Sequence, residues 1–334
     1  MKAIVYEGAN QLAIKELEMP KIPEGWALIK VSHAGICGTD LNIFAGTHPR
    51  AKAPLVMGHE FSGILMQDIP SLLKGSRVVV YPLLSCGVCE PCKTGNKHVC
   101  NTLKLIGIDC DGAMAEYVAA PIDTILPLPS TVSLKVGALI EPIAVAVHSA
   151  RVNGYQLGDN AIIFGCGTIG LCQALTLRHF GARDLVMVET DPTRAARAEG
   201  LGFTVWNPIT EDIRALTLER TGNNGFDWVF DCAGVQAVAD MLLDVVKVKG
   251  RIVIVASYKK PAMLPFFKGM AKETAILFTR VYTLKDFSIA AEVAGTEPEF
   301  ENIITHVLSA DEAKEGFELL TSSGSGAVKV LFAF

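Results

Sequence analysis

The chain has 334 residues, half of them apolar, and a formal net charge of -5 at pH 7. That length and apolar fraction exclude a disordered chain and support a large core divided between two domains. The mild acidity, with no basic block, argues against a nucleic-acid surface and leaves small anionic or neutral ligands as the natural partners.

The opening "MKAIVYEGAN" lacks the apolar run of a signal peptide, and stretches such as "VGALIEPIAVAVHSA" meet a charge before the ~18 residues that a membrane span needs. The first half of the chain then reads as short β-rich runs, "WALIKVSHAGI" and "GSRVVVYPLL", punctuated by Gly and Pro. Between these runs, "GICGTDLN" and "GHEFSG" offer Cys37, His59 and Glu60: a thiolate, an imidazole and a carboxylate. A catalytic metal takes fewer protein ligands than a structural one and keeps an open position, so three donors from separate segments suit it. Each alone is more often core than ligand.

Next comes "CGVCEPCKTGNKHVC", in which Cys86, Cys89, Cys92 and Cys100 follow C-x2-C-x2-C-x7-C. Four thiolates suit a tetrahedral structural zinc with no room for substrate. An iron-sulfur cluster also takes four cysteines, and a nucleic-acid finger is disfavoured because no basic helix follows. The total of nine cysteines is odd and only four cluster, so a secreted disulfide framework is a poor reading and a reducing cytoplasm the expected setting. Further on, Glu141 in "LIEPIAVAVH" is a carboxylate in an apolar stretch, which demands a cation or hydrogen bonds, and it is a candidate fourth ligand.

From about Ile143 the rhythm changes to a strand, a glycine turn, a helix and a second strand, a βαβ unit. "FDWVFDC" and "GRIVIVAS" continue it, so this half is expected to be a doubly wound α/β domain with a parallel sheet. Gly165, Gly167 and Gly170, with Thr168 and Ile169 between them, form G-x-G-x-x-G after an apolar strand, and Glu189 ends the next strand. In that context the glycines admit a pyrophosphate to a helix N-terminus and the acid chelates the ribose hydroxyls. A carboxylate there repels a 2'-phosphate, so NAD is expected over NADP, with Arg194 as the one residue pointing the other way. A last helix at "ADEAKEGFELL" and a last strand at "VKVLFAF" close the chain.

Taken in order, "GICGTD", "GHEFSG", the four-cysteine lobe, "EPIAVAVHSAR" and "GCGTIG" resemble the zinc-dependent medium-chain alcohol and polyol dehydrogenases, over nearly the whole chain. The resemblance implies a GroES-like catalytic domain (1–142 and 286–334, with the zinc lobe at 86–100) and a Rossmann domain (143–285). It implies Cys37, His59 and Glu60 as catalytic zinc ligands. Glu141, where liver-type enzymes have a cysteine, places the chain nearer the sorbitol-type branch. Zinc in such a site lowers the pKa of a bound hydroxyl and so prepares the carbon to give up hydride.

By the same resemblance Thr39 passes the substrate proton outward and Asp40 accepts the free N–H of His59, although such an Asp often only caps backbone amides. Many relatives carry a relay histidine where this chain has Asn42, whose amide does not titrate. The proton then leaves through Thr39 and the cofactor ribose, or His48 substitutes. Lys329 matches a residue that contacts cofactor phosphates, the alternative being an exposed strand lysine. Arg280, Tyr282 and Phe44 are candidate substrate contacts, against a surface arginine and buried aromatics. The implied enzyme oxidises a secondary alcohol of a polyol or sugar acid with NAD, as a cytoplasmic homo-oligomer, tetramer or dimer. A threonine 3-dehydrogenase-like or butanediol-type enzyme and a non-catalytic dinucleotide-binding regulator are the competing readings.

Overall fold

The computed structural model describes residues 1–322 and 324–334. The chain forms two compact units, one of Met1–Ala144 with Tyr282–Phe334 and one of Val145–Val281.

The first unit is mostly antiparallel. Its main sheet runs in the order Ile125–Pro127, Arg77–Val80, Glu60–Leu65, Trp26–Gly35, Lys329–Ala333, Ile304–Ser309, with Tyr117–Pro121 also paired to Trp26–Gly35. Trp26–Gly35 is therefore the spine, and its Val-, Ile- and Ala-rich residues bury largely in alternation, as one covered face requires. Gly35 lies opposite Glu60 on one side and Leu331 on the other, which brings three distant segments to one point of the sheet. A smaller sheet joins Gln11–Glu16, Lys2–Gly8 and Leu55–Val56.

The second unit is a six-stranded parallel sheet in the order Thr204–Trp206, Asp184–Val188, Asn160–Phe164, Phe226–Asp231, Val246–Ile254, Ala275–Phe278. This 3-2-1-4-5-6 order is the doubly wound arrangement expected from the alternating strand and helix patterns. All five residues of Asn160–Phe164 are buried, as in a strand covered on both faces. None of the described helices is long and apolar enough to cross a membrane.

Candidate active site and metal centres

Cys37 lies two residues past the end of the spine strand and caps a short helix, Gly38–Phe44. Its Sγ accepts from the Thr39 amide at 3.5 Å, while the Cys37 amide donates to Asp40 Oδ2 at 2.8 Å, a reciprocal capping box. The turn thus fixes the direction of the thiol. His59 and Glu60 enter from the neighbouring strand, and one donor atom from each of Cys37, His59 and Glu60 lies within 4.8 Å of the others. The sheet register, which sets Gly35 opposite Glu60, brings the two segments together, and the capping turn completes the convergence.

Asp40 differs in part from expectation. Its Oδ2 caps the Cys37 amide, and Oδ1 stands 3.7 Å from His59 Nδ1, beyond hydrogen-bonding distance. Both Oδ1 and Nδ1 are buried without a hydrogen-bond partner. Backbone capping takes precedence because the first-turn amides of a helix need an acceptor, which leaves one oxygen to orient the imidazole through charge alone.

Lys329 is neither an exposed strand lysine nor a free cation. It is 1% exposed, donates to the Ile36 carbonyl at 3.0 Å and pairs with Glu60 Oε2. Space for the pair comes from Gly35, where a Cβ would stand 2.5 Å from Glu60 Oε2 and 2.8 Å from Lys329 Cε. The sequence carried a signal: a lysine inside the apolar run "VKVLFAF" needs a buried partner.

Glu141 occupies the first turn of helix Ile140–Arg151 and is not among the three residues whose donors converge. Its Oε1 accepts a 2.6 Å hydrogen bond from Tyr282 Oη. Tyr282, read from the sequence as a substrate contact, is fully buried, with its ring edge-on to Tyr81 at 5.7 Å and its carbonyl accepting from Tyr81 Oη. Its hydroxyl serves Glu141. Phe44, the other aromatic candidate, is half-buried and packs on Phe317 with centroids 5.1 Å apart. Arg280 is exposed.

The residues fit a cation. Buried Asp40, Glu60 and Glu141 and half-buried Cys37 form one acidic group against Lys329, the one buried ammonium among the described residues. Burial, with Asp40 and Glu141 behind it, pushes the Cys37 thiol up to about 11, and burial pushes the Asp40 and Glu141 carboxyls up as well. A bound divalent cation removes that penalty by favouring the charged forms of all of them. Thr39 is half-buried two residues from the thiol, and the Asn42 side chain is half-buried in the same helix. His48 accepts from the Arg50 and Ala51 amides through Nδ1, at 3.4 and 3.1 Å, so its neutral ring carries its proton on Nε2.

Cys86, Cys89, Cys92 and Cys100 bring their sulfurs within 4.8 Å of one another. The Cys89 to Cys100 separation is 3.7 Å, against the edge of ~3.8 Å that follows from zinc-sulfur bonds of ~2.3 Å in a tetrahedron. The Cys86 and Thr102 amides donate to Cys100 Sγ, and backbone amides pull the Cys86 thiol down to about 6. Backbone amides also hold the Cys100 thiol down, whereas burial pushes the Cys92 thiol up to about 11.

In the parallel unit, Gly165 adopts φ +99° and the helix Thr168–His179 begins directly after Gly167, through Thr168 and Ile169. A Cβ on Gly170 would stand 1.8 Å from the Gly165 carbonyl oxygen, so only glycine closes this turn. Glu189 reaches it: Oε2 accepts from the Cys166 amide at 2.7 Å, and Oε1 from the Thr190 and Asp191 amides at 2.7 and 2.9 Å. Three backbone amides thus fasten the half-buried acid beside the glycine turn. Arg194 is half-buried on the following helix, and its charge reaches the Cys166 thiol.

Comparison with known proteins agrees with these two halves. Residues 23–130 match the alcohol dehydrogenase GroES-like domain and residues 168–295 the zinc-binding dehydrogenase domain. The chain is 35% identical to a 2-dehydro-3-deoxy-L-galactonate 5-dehydrogenase of Pseudoalteromonas atlantica, over 88% of this chain and 87% of that one. It is 31% identical to an L-threonine 3-dehydrogenase of Bacillus velezensis, over 98% of each. Among solved structures, 2R,3R-butanediol dehydrogenase from Bacillus subtilis superposes with a TM-score of 0.93 at 30% identity, over 100% of this chain and 99% of that one.

Proposed function

The chain belongs to the zinc-dependent medium-chain alcohol and polyol dehydrogenases, and from that premise we propose that it oxidises a secondary hydroxyl of a sugar acid or polyol to a ketone, reversibly, with NAD. The observation that carries this reading is the convergence of Cys37, His59 and Glu60 within an acidic group completed by Asp40 and Glu141, whose acids stay charged together only around a cation. Cys37, His59 and Glu60 hold the catalytic zinc, with Glu141 beside it, and the four-cysteine lobe holds a structural zinc. When bound, the two groups supply a positive charge that acidifies the substrate hydroxyl and a nicotinamide ring that accepts hydride.

Lys329 holds one oxygen of Glu60 and so fixes the carboxylate beside Cys37 and His59. Tyr282 holds Glu141 in a single orientation. Thr39 Oγ takes the substrate proton outward; Asn42 cannot titrate, and His48 offers only Nε2. Glu189 receives the ribose hydroxyls, with Gly165, Gly167 and Gly170 admitting the diphosphate and Arg194 at the rim. A negative group at the ribose favours NAD over NADP, and a kcat/KM ratio favouring NADP would refute the assignment.

Phe44 and Arg280 stand as substrate-side candidates, Arg280 as the group to pair with a sugar carboxylate. The enzyme works as a cytoplasmic homo-oligomer, a tetramer or dimer. The sugar-acid reading takes support from the galactonate-type relative, and a threonine 3-dehydrogenase-like or butanediol-type specificity from the other two. Metal counting combined with NADH production from a panel of aldonates, polyols and amino alcohols decides among them. A chain holding zinc and NADH yet turning over none of the panel would be a regulator instead.

A further inference from the structure

Asp231 ends the fourth strand in sequence of the parallel sheet and is fully buried. No cation pairs with it among the described residues. Three donors hold its carboxylate instead: the Ala233 and Gly234 amides reach Oδ1 at 3.0 and 2.9 Å, and Tyr258 Oη reaches Oδ2 at 2.6 Å. Its own carbonyl accepts from the Val255 and Ala256 amides at 3.0 and 2.9 Å. One residue therefore ties together the loops that leave two adjacent parallel strands, Phe226–Asp231 and Val246–Ile254. Gly234, at φ +68°, lets the loops close, since a Cβ there would stand 2.9 Å from Ala256 Cβ.

These loops border the glycine turn. The Cys232 amide donates to the Phe164 carbonyl at 3.0 Å, and a Cβ on Gly165 would stand 3.4 Å from Ala233 Cβ. Both loops leave the carboxyl ends of their strands, the edge where a doubly wound sheet receives its ligand. Neither backbone amides nor an aspartate can be released singly from such a junction, because a buried carboxylate with no cation depends on all three donors. Of the three, only the Tyr258 hydroxyl is a side chain, and its ring is half-buried. The hydroxyl is the replaceable part of the junction.

We propose that Tyr258 is a positioning residue for the dinucleotide: through Asp231 it holds the two loops beside the glycine turn in the form that binds the cofactor. This rests on the NAD reading given above. Tyr258→Phe removes only the hydroxyl, and its expected effect is a Kd for NADH and a KM for NAD weakened about tenfold, with kcat changed less than about twofold. Amide exchange of residues 232–234 and 255–256 should accelerate in the same variant, while Ser257→Ala, an exposed neighbour, leaves both readouts at the wild-type level. Unchanged NADH affinity in Tyr258→Phe overturns the proposal, whether or not exchange accelerates. Weakened affinity without accelerated exchange overturns it too, because the loops would then not be what Tyr258 holds. If the wild-type chain itself binds no NADH by intrinsic fluorescence, the cofactor reading fails first and is recognised as such.

Discussion

Lys329 and Glu60 form a buried ion pair in the middle of the catalytic sheet, 269 residues apart in sequence and both at most 2% exposed. Glu60 thereby has one oxygen committed to an ammonium, within a carboxylate that also belongs to the donor group with Cys37 and His59. Removing Lys329 leaves a buried carboxylate without its partner, which is worth about 3–5 kcal/mol. Lys329→Met should destabilise the metal-free protein by that order in urea titration, and adding Glu60→Gln should recover part of the loss. Equal stability of Lys329→Met and wild type in chelator would show that the pair contributes nothing.

Tyr282→Phe deletes the hydroxyl that fixes Glu141. A hydrogen bond to a charged acceptor contributes about 1.5–3 kcal/mol, so kcat should fall at least about tenfold if Glu141 acts beside the reacting hydroxyl. Zinc content by mass spectrometry should stay the same, because Glu141 stands outside the converging donors. Loss of catalytic zinc in this variant would instead make Glu141 a direct ligand.

Cys89→Ser opens the four-sulfur lobe, and the metal count should fall from about two ions to about one per chain. In metal-stripped wild-type protein at pH 7, Cys86, with its thiol near 6, should be the first cysteine of the lobe to react with iodoacetamide, ahead of Cys92, which is pushed up to about 11. Labelling of Cys92 first would contradict the thiolate order of the lobe.

His33 supplies a pH dependence away from either metal group. Burial, with the Lys135 charge, lowers its pKa from the ordinary 6.5. The folded state then binds fewer protons than the unfolded state, so its contribution to stability is present above about 6.5 and lost as pH falls through the range below. His33→Gln should flatten the decline of the urea midpoint between about pH 7 and 5, compared with wild type. An identical decline in the two proteins would assign the pH dependence elsewhere.

Local chemistry was readable from the residues themselves. The parallel sheet, the glycine turn with Glu189 at its side, and the cysteine lobe each depend on a few consecutive residues, so strand period, glycine spacing and thiol spacing were enough to find them. Cys37, His59 and Glu60 came from short segments in the same way, supported by a resemblance. The partners of individual side chains were not readable. Asp40 turned out to cap Cys37, Tyr282 to serve Glu141, and Lys329 to hold Glu60.

The difference has a physical origin. Backbone geometry and short motifs are set within a dozen residues, so the sequence by itself determined which elements form and which donors this chain owns. Which buried charge meets which is a question of register: Gly35 lies opposite Glu60 and beside Leu331 only because distant strands pair in that alignment, and a shift of one residue would turn every one of those side chains to the other face. Tertiary structure alone decided that the Lys329 ammonium, the Tyr282 hydroxyl and the acids share one low-dielectric place, where unpaired charge is too unfavourable to persist.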